Sequence, residues 1–148
     1  MMRRSLGMVA LAACLASPFA HADADVAKPQ AMSADFSLGA DAVQLKDWDT
    51  AIHHLVIAAR DEPTNADAQN LLGYAYRNQR KYDLAFKHYA AALKLDPSHK
   101  GAHEYIGEAY LLTGNKAKAR EHLAALERIC GKGCEQYQDL ANAIAQAK

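Results

Sequence analysis

The run from Asn65 to Pro97, NADAQNLLGYAYRNQRKYDLAFKHYAAALKLDP, is copied in register by the sequence on either side of it. Gly39, Gly73 and Gly107 stand at equal steps of about 34 residues. Ala51, Ala85 and Ala119 keep the same step, as do Leu55, Tyr89 and Leu123, and finally Pro63 and Pro97. Within the run, Leu72, Gly73 and Tyr76 share one helical face, and Tyr82, Ala85, Tyr89, Ala92 and Leu93 share another. Each unit therefore reads as two helices turned back on each other. Glycine inside a helix costs about 1 kcal/mol relative to alanine, so its return in register marks a place where paired helices approach too closely for a side chain. Alanines on the facing helix permit that approach. Leu38, Trp48, Leu72, Tyr76, Tyr82, Ile106 and Tyr110 are expected to fill the space within and between hairpins. Pro63 and Pro97 separate one hairpin from the next, and Gly114-Asn115 supplies a left-handed helix stop followed by a cap.

A Leu-Gly pair, an aromatic residue three positions later, small residues on the second helix and a closing proline, in a unit of about 34 residues, resemble the tetratricopeptide repeat (TPR). The resemblance covers residues 32 to about 130. It implies an all-α fold, a right-handed α-solenoid of three TPR helical hairpins plus a C-terminal capping helix. The repeats are expected at 32–65, 66–99 and 100–133, with the capping helix in 134–148. Helices are expected at 32–46, 48–60, 66–79, 82–94, 100–113, 116–129 and 135–147. The last carries the stripe Tyr137, Leu140, Ala141, Ile144 and Ala145, suited to covering the open end of a solenoid.

Composition narrows the function. Half the residues are apolar and the formal charge is zero, which offers no basic face to nucleic acid or anionic lipid. The first 22 residues hold Arg3 and Arg4, an apolar stretch from Leu6 to Ala16, and Ala20-His21-Ala22. This is the pattern of a secretory signal peptide cleaved before Asp23, too short in its apolar part for a spanning helix. The mature chain then carries 15 basic and 17 acidic side chains and begins with a leader at 23–31. The expected location is the periplasm of a bacterium. Leu11-Ala12-Ala13-Cys14 also resembles a lipobox, so the alternative is a lipoprotein anchored through an acylated Cys14, the one route to a membrane. In an exported chain, Cys130 and Cys134, separated by Gly131-Lys132-Gly133, favour a disulfide across a tight turn, contributing about 2 kcal/mol by pinning the last helix.

No nucleophile elbow, phosphate-cradling loop or dinucleotide fingerprint is present, and Gly107 stands where a His103-Glu104 zinc-protease motif needs its second histidine. No enzyme, cofactor or metal is expected; the partner is a protein or peptide. His54, His88 and His122 recur at the same repeat step and are expected as a solvated row on the outer face. The alternative function, a periplasmic carrier of a small ligand or metal, would use that row or the groove. His53, His99 and His103 show no further pattern.

The TPR resemblance places partner contacts on the first helix of each hairpin: Phe36 and Ala40 in the first, Asn70, Tyr74 and Arg77 in the second, Glu104, Tyr105 and Glu108 in the third. Ser37, Val43, Gln44, Asp67, Leu71, Asn78, Gly101, Leu111 and Leu112 flank them. The family's best-known variant clamps a terminal carboxylate with lysines, asparagines and an arginine. The matching places here hold Phe36, Ala40, Leu71, Gly101 and Tyr105, so that clamp is absent; what remains is aromatic and apolar with an acidic patch that includes Glu108, and an apolar or basic segment is the expected ligand. Leu71, Leu111 and Tyr105 are also suited to helix packing, whereas Tyr74 and Glu108 are the stronger contact candidates.

The exported protein is expected to have the intact mass of a chain starting at Asp23, and alkylation of the denatured protein should add two groups only after reduction. An acylated chain starting at Cys14, or two free thiols before reduction, would overturn these expectations.

Overall fold

The structure, a computed structural model, describes residues 33–147. The expected signal peptide, Cys14 and the leader lie outside the described residues. Seven helices follow one another: α1 (Ala34–Gln44), α2 (Trp48–Asp61), α3 (Ala66–Asn78), α4 (Tyr82–Leu95), α5 (Lys100–Leu112), α6 (Lys116–Cys130) and α7 (Glu135–Gln146). Their bounds match the sequence expectations to within two residues.

Local chemistry sets those bounds. Side-chain caps start most helices: Ser33 accepts from the Phe36 N–H, Asp47 from Thr50, Asn65 from Ala68 and Asn115 from Lys118. Each hairpin turn ends its first helix in the same way. The Asp47, Lys81 and Asn115 amides donate back to Ala42, Tyr76 and Tyr110, while Lys46, Arg80 and Gly114 donate to Val43, Arg77 and Leu111. These paired bonds form a Schellman motif, which requires a left-handed residue at its centre. Lys46 (φ 59°), Arg80 (φ 60°) and Gly114 (φ 81°) supply it, again one repeat step apart. The sequence signals this stop only at Gly114.

Within each hairpin the two helices are closely packed, as are α2 with α3, α4 with α5 and α6 with α7. Across hairpins, α1 touches α3, α3 touches α5 and α5 touches α7, whereas α2, α4 and α6 make no such contacts with one another. The first helices therefore form a continuous inner layer and the second helices an outer one. The core runs through as three apolar clusters, around Leu55 and Leu72, around Tyr89 and Ile106, and around Leu126 and Leu140.

The glycines do what their register implies. A Cβ on Gly39 would lie 2.6 Å from the Leu55 side chain, and one on Gly73 2.6 Å from the Tyr89 ring. Ala51, Ala85 and Ala119 are fully buried. At Gly107 the neighbour is Leu140 of α7, also at 2.6 Å, rather than the Leu123 that the register suggests. Leu140 stands one repeat step after Ile106, in line with Leu72, so α7 packs as the next first helix and covers the last apolar cluster at once. Leu38 also departs from expectation, being 50% exposed. It holds the same repeat position, whose side chain plugs into the preceding hairpin, and α1 has none before it among the described residues.

Two substitutions check this account. Gly73→Ala would ordinarily stabilise a helix, but overpacking against Tyr89 should make it cost about 1–3 kcal/mol. Arg80→Gly, which relieves a left-handed arginine, should gain about 1 kcal/mol. Chemical denaturation reads both, and opposite signs would refute the packing and turn assignments.

Candidate functional site

The repeat places equivalent residues of α1, α3 and α5 in rows along the inner layer. One row is Phe36, Asn70 and Glu104, and a second is Ala40, Tyr74 and Glu108. The first row is deeply buried, at 8%, 5% and 8% exposure. In the second, Tyr74 and Glu108 are half-buried.

Aromatic side chains organise the middle of this face. Trp48 meets Tyr74 edge-on at 5.9 Å between ring centroids, and Tyr74 meets Tyr105 at 4.8 Å. The Arg77 guanidinium lies over both tyrosines, 4.9 and 5.3 Å from their centroids. It donates to the Glu108 carboxylate and, at 3.4 Å, to the Tyr105 carbonyl. Arg77 is thus held by an ion pair and by cation–π contacts. Tyr89 lies beneath, fully buried with its hydroxyl unpaired, and burial pushes its pKa up.

Several sequence expectations change here. Glu108 is neutralised by Arg77 rather than free to present an acidic patch, so the Arg77–Glu108 pair joins α3 to α5 across the face. Tyr105 packs, as expected for Leu71 and Leu111, but its ring also completes the stack with Tyr74. Glu104, expected as a groove contact, is buried, and burial pushes its pKa up to about 7, with Glu108 and Asp139 reinforcing the shift and Arg77 opposing it. Asn70 Oδ1 is buried without a hydrogen-bond partner. Between α3, α5 and α7 the face continues into a cavity of about 460 Å³ lined by Arg77, Asn78, Glu108, Leu111, Leu112, Ala143, Gln146 and Ala147.

The histidine row is corrected. His54, His88 and His122 are half-buried, and each reaches across its own hairpin: His54 Nδ1 to Asp35 Oδ1 at 2.8 Å, His88 Nδ1 to Gln69 Oε1 at 2.8 Å, and His122 Nδ1 to His103 Nδ1 at 3.0 Å. Asp35, Gln69 and His103 recur at the repeat step too, each the same distance along the chain before its partner, a signal present in the sequence. These contacts tie first helix to second rather than build one shared site. His103 Nε2 donates to the Pro97 carbonyl at 3.0 Å, so in its neutral form Nδ1 accepts from His122. Burial, and then His103, push the His122 pKa down to about 4. His99 caps α5, its Nδ1 accepting from the Ala102 N–H and its Nε2–H donating to Asp67 Oδ1 at 2.9 Å. Among the described residues, no group of three His, Cys, Asp or Glu side chains is arranged to hold a metal ion.

The Cα atoms of Cys130 and Cys134 are 5.9 Å apart, a separation that a disulfide spans. No helix among the described residues is long and apolar enough to cross a membrane.

Paired helices with glycine at their crossing, stacked with an unbroken inner layer, define a helical repeat protein of the solenoid class. The chain belongs to the tetratricopeptide repeat family, whose profile matches residues 36–99 and 75–133. Similar solved structures are TPR domains or have the same fold. The first TPR of Spaghetti (RPAP3) bound to the HSP90 peptide SRMEEVD aligns with a TM-score of 0.68 at 18% identity, covering 76% of this chain and 89% of that one. The Yersinia enterocolitica type III secretion chaperone SycD, in complex with a peptide of the translocator YopD, aligns at 0.66 and 17%, covering 75% and 84%. A MamA D159K mutant aligns at 0.60 and 29%, covering 72% and 59%. No curated protein matches the chain in sequence.

The buried carboxyl gives a pH test. Folded Glu104 holds its proton up to about pH 7, whereas an ordinary glutamate releases it near 4.5. The folded state therefore binds more protons between these values, so the contribution of Glu104 is full below pH 4.5 and declines as pH rises through 7. Glu104→Gln should match wild type in unfolding free energy at pH 4 and exceed it at pH 8 by on the order of 1 kcal/mol after allowance for residual solvent, a difference that also raises its melting temperature at pH 8. Equal melting temperatures at both pH values would refute the buried, repelled state.

Proposed function

We propose that this chain is an exported adaptor or assembly factor that binds an extended segment of a protein partner along the inner face of α1, α3, α5 and α7. The observation that carries the reading is the aromatic cluster of Trp48, Tyr74 and Tyr105 on that face, with Arg77 lying over the two tyrosines. Rigid, half-exposed aromatic side chains at the centre of a surface are what peptide grooves use as anchors. The neighbouring structures support the mode, because the RPAP3 domain is bound to an HSP90 peptide and SycD to a YopD peptide.

The ligand chemistry should differ from the acidic HSP90 peptide. The inner face presents Phe36, Ala40, Leu71, Gly101 and Tyr105 where a carboxylate clamp needs lysines, asparagines and an arginine, and Glu104 adds a repelled acid. An apolar segment carrying basic groups is complementary to it. Solenoid scaffolds without a nucleophile or cofactor fingerprint serve binding rather than catalysis, which supports a non-enzymatic role. The signal-peptide pattern supports a periplasmic location, and the juxtaposed Cys130 and Cys134 support a bridge that pins α7 to α6 in an oxidising compartment.

Affinity capture from periplasmic extract identifies the partner, and Tyr74→Ala then tests the face. Removing a central aromatic anchor should weaken binding by about 2 kcal/mol, roughly 30-fold, while far-ultraviolet circular dichroism stays helical. A partner that binds a folded Tyr74→Ala variant as tightly as wild type would sink the assignment.

A further inference from the structure

We infer that Asn70 and Glu104 form a subsite on the inner face for a cationic side chain, a lysine ammonium or arginine guanidinium, of the bound segment. This inference rests on the proposed peptide-binding reading. The two residues occupy the same repeat position on neighbouring helices, and both are more than nine-tenths buried. Asn70 Oδ1 has no hydrogen-bond partner. The Asn70 amide is turned toward α5, its Nδ2 3.2 Å from where a Cβ on Gly101 would sit, one helical turn before Glu104. The absence of a side chain at Gly101 leaves that approach open.

The charges around Glu104 are Glu108, Asp139 and Glu135 on one side of the balance and Arg77 on the other, and Arg77 is already paired with Glu108. A buried acceptor left without a donor, beside a carboxyl held in a predominantly acidic field, is costly in the empty protein. An ammonium offers three donors and a guanidinium five, enough to satisfy the amide oxygen and the carboxylate together. Phe36, next along the same row, supplies an apolar surface for the aliphatic stem or a neighbouring apolar residue. Entry of the cation favours the ionised carboxylate, so a proton leaves Glu104 to solvent and affinity rises from pH 5.5 to 8.

The direct test uses n-butylammonium, titrated into isotopically labelled protein at pH 7.5 and followed by NMR. Saturable shifts are expected at the Asn70 side-chain amide and at the Gly101 and Glu104 backbone amides, with affinity at least tenfold lower in Glu104→Gln and in Asn70→Ala. n-Butanol should leave these signals in place. Absence of the shifts, equal shifts with butanol, or undiminished binding in folded Glu104→Gln would overturn the subsite. Panning a phage-displayed random heptapeptide library separates this inference from the reading beneath it. Lysine and arginine should be enriched on wild type and not on Glu104→Gln. Peptides selected through Tyr74 without basic enrichment would overturn the cation subsite and leave the groove standing. Saturable butylammonium binding with no peptide selected would support the subsite and overturn the peptide reading.

Discussion

Close helix approach at the repeated glycines is the constraint on which the rest of the molecule depends. Gly39 and Gly73 let Leu55 and Tyr89 lie directly on the partner helix backbone, where any larger residue would collide with them. That contact fixes the geometry of each hairpin, and the Schellman turns centred on Lys46, Arg80 and Gly114 fix its chain reversal. Two of those three turns carry a strained, non-glycine left-handed residue, so packing rather than local preference holds them. Once the hairpins are set, stacking follows from Leu72, Ile106 and Leu140, each filling the junction with the hairpin before it.

The inner face is built on a different principle. The packing rows are apolar, whereas the row Phe36, Asn70, Glu104 places an amide oxygen without a partner and a carboxyl among other carboxylates in nearly complete burial. Such groups reduce the stability of the empty fold, and a protein tolerates that where the cost is recovered by binding. The Arg77–Glu108 pair and the tyrosines around it act in the opposite sense. They lock α3 to α5 and hold the aromatic surface still, so that a segment docking there loses little side-chain freedom on the protein's side.

The architecture was almost wholly legible in the sequence because it rests on residue types with one strong physical meaning. Gly73, Ala85 and Pro97 each restrict what their backbone can do, and the fixed repeat step turns isolated hints into a register. Several candidate site residues were misjudged in state. Glu108 read as a free acid because its ion pair with Arg77 joins positions far apart in the chain, a relation visible only once α3 and α5 are laid side by side. The histidines read as a solvated row because they stand in line at the repeat step, while their contacts run across each hairpin to Asp35, Gln69 and His103. Leu38 read as core because its register position is core in every repeat that has a predecessor.

A repeat fold also explains why sequence discloses the scaffold so much more readily than the ligand. Packing positions must allow the same close approach of a neighbouring helix three times over, so Gly39, Gly73 and Gly107 stay identical. Inner-face positions meet no such demand, and they diverge from Phe36 to Asn70 to Glu104 and from Ala40 to Tyr74 to Glu108. Divergence within an otherwise faithful register is therefore information in itself, because it marks the side chains released from the solenoid's own requirements. Apolar character falls from α1 toward α5 along the first row and acidity rises to Glu104, whereas the acid that ends the second row, Glu108, is paired with Arg77. An extended segment with its apolar part at Phe36 and its basic part at Glu104 would have only one favourable direction in which to lie.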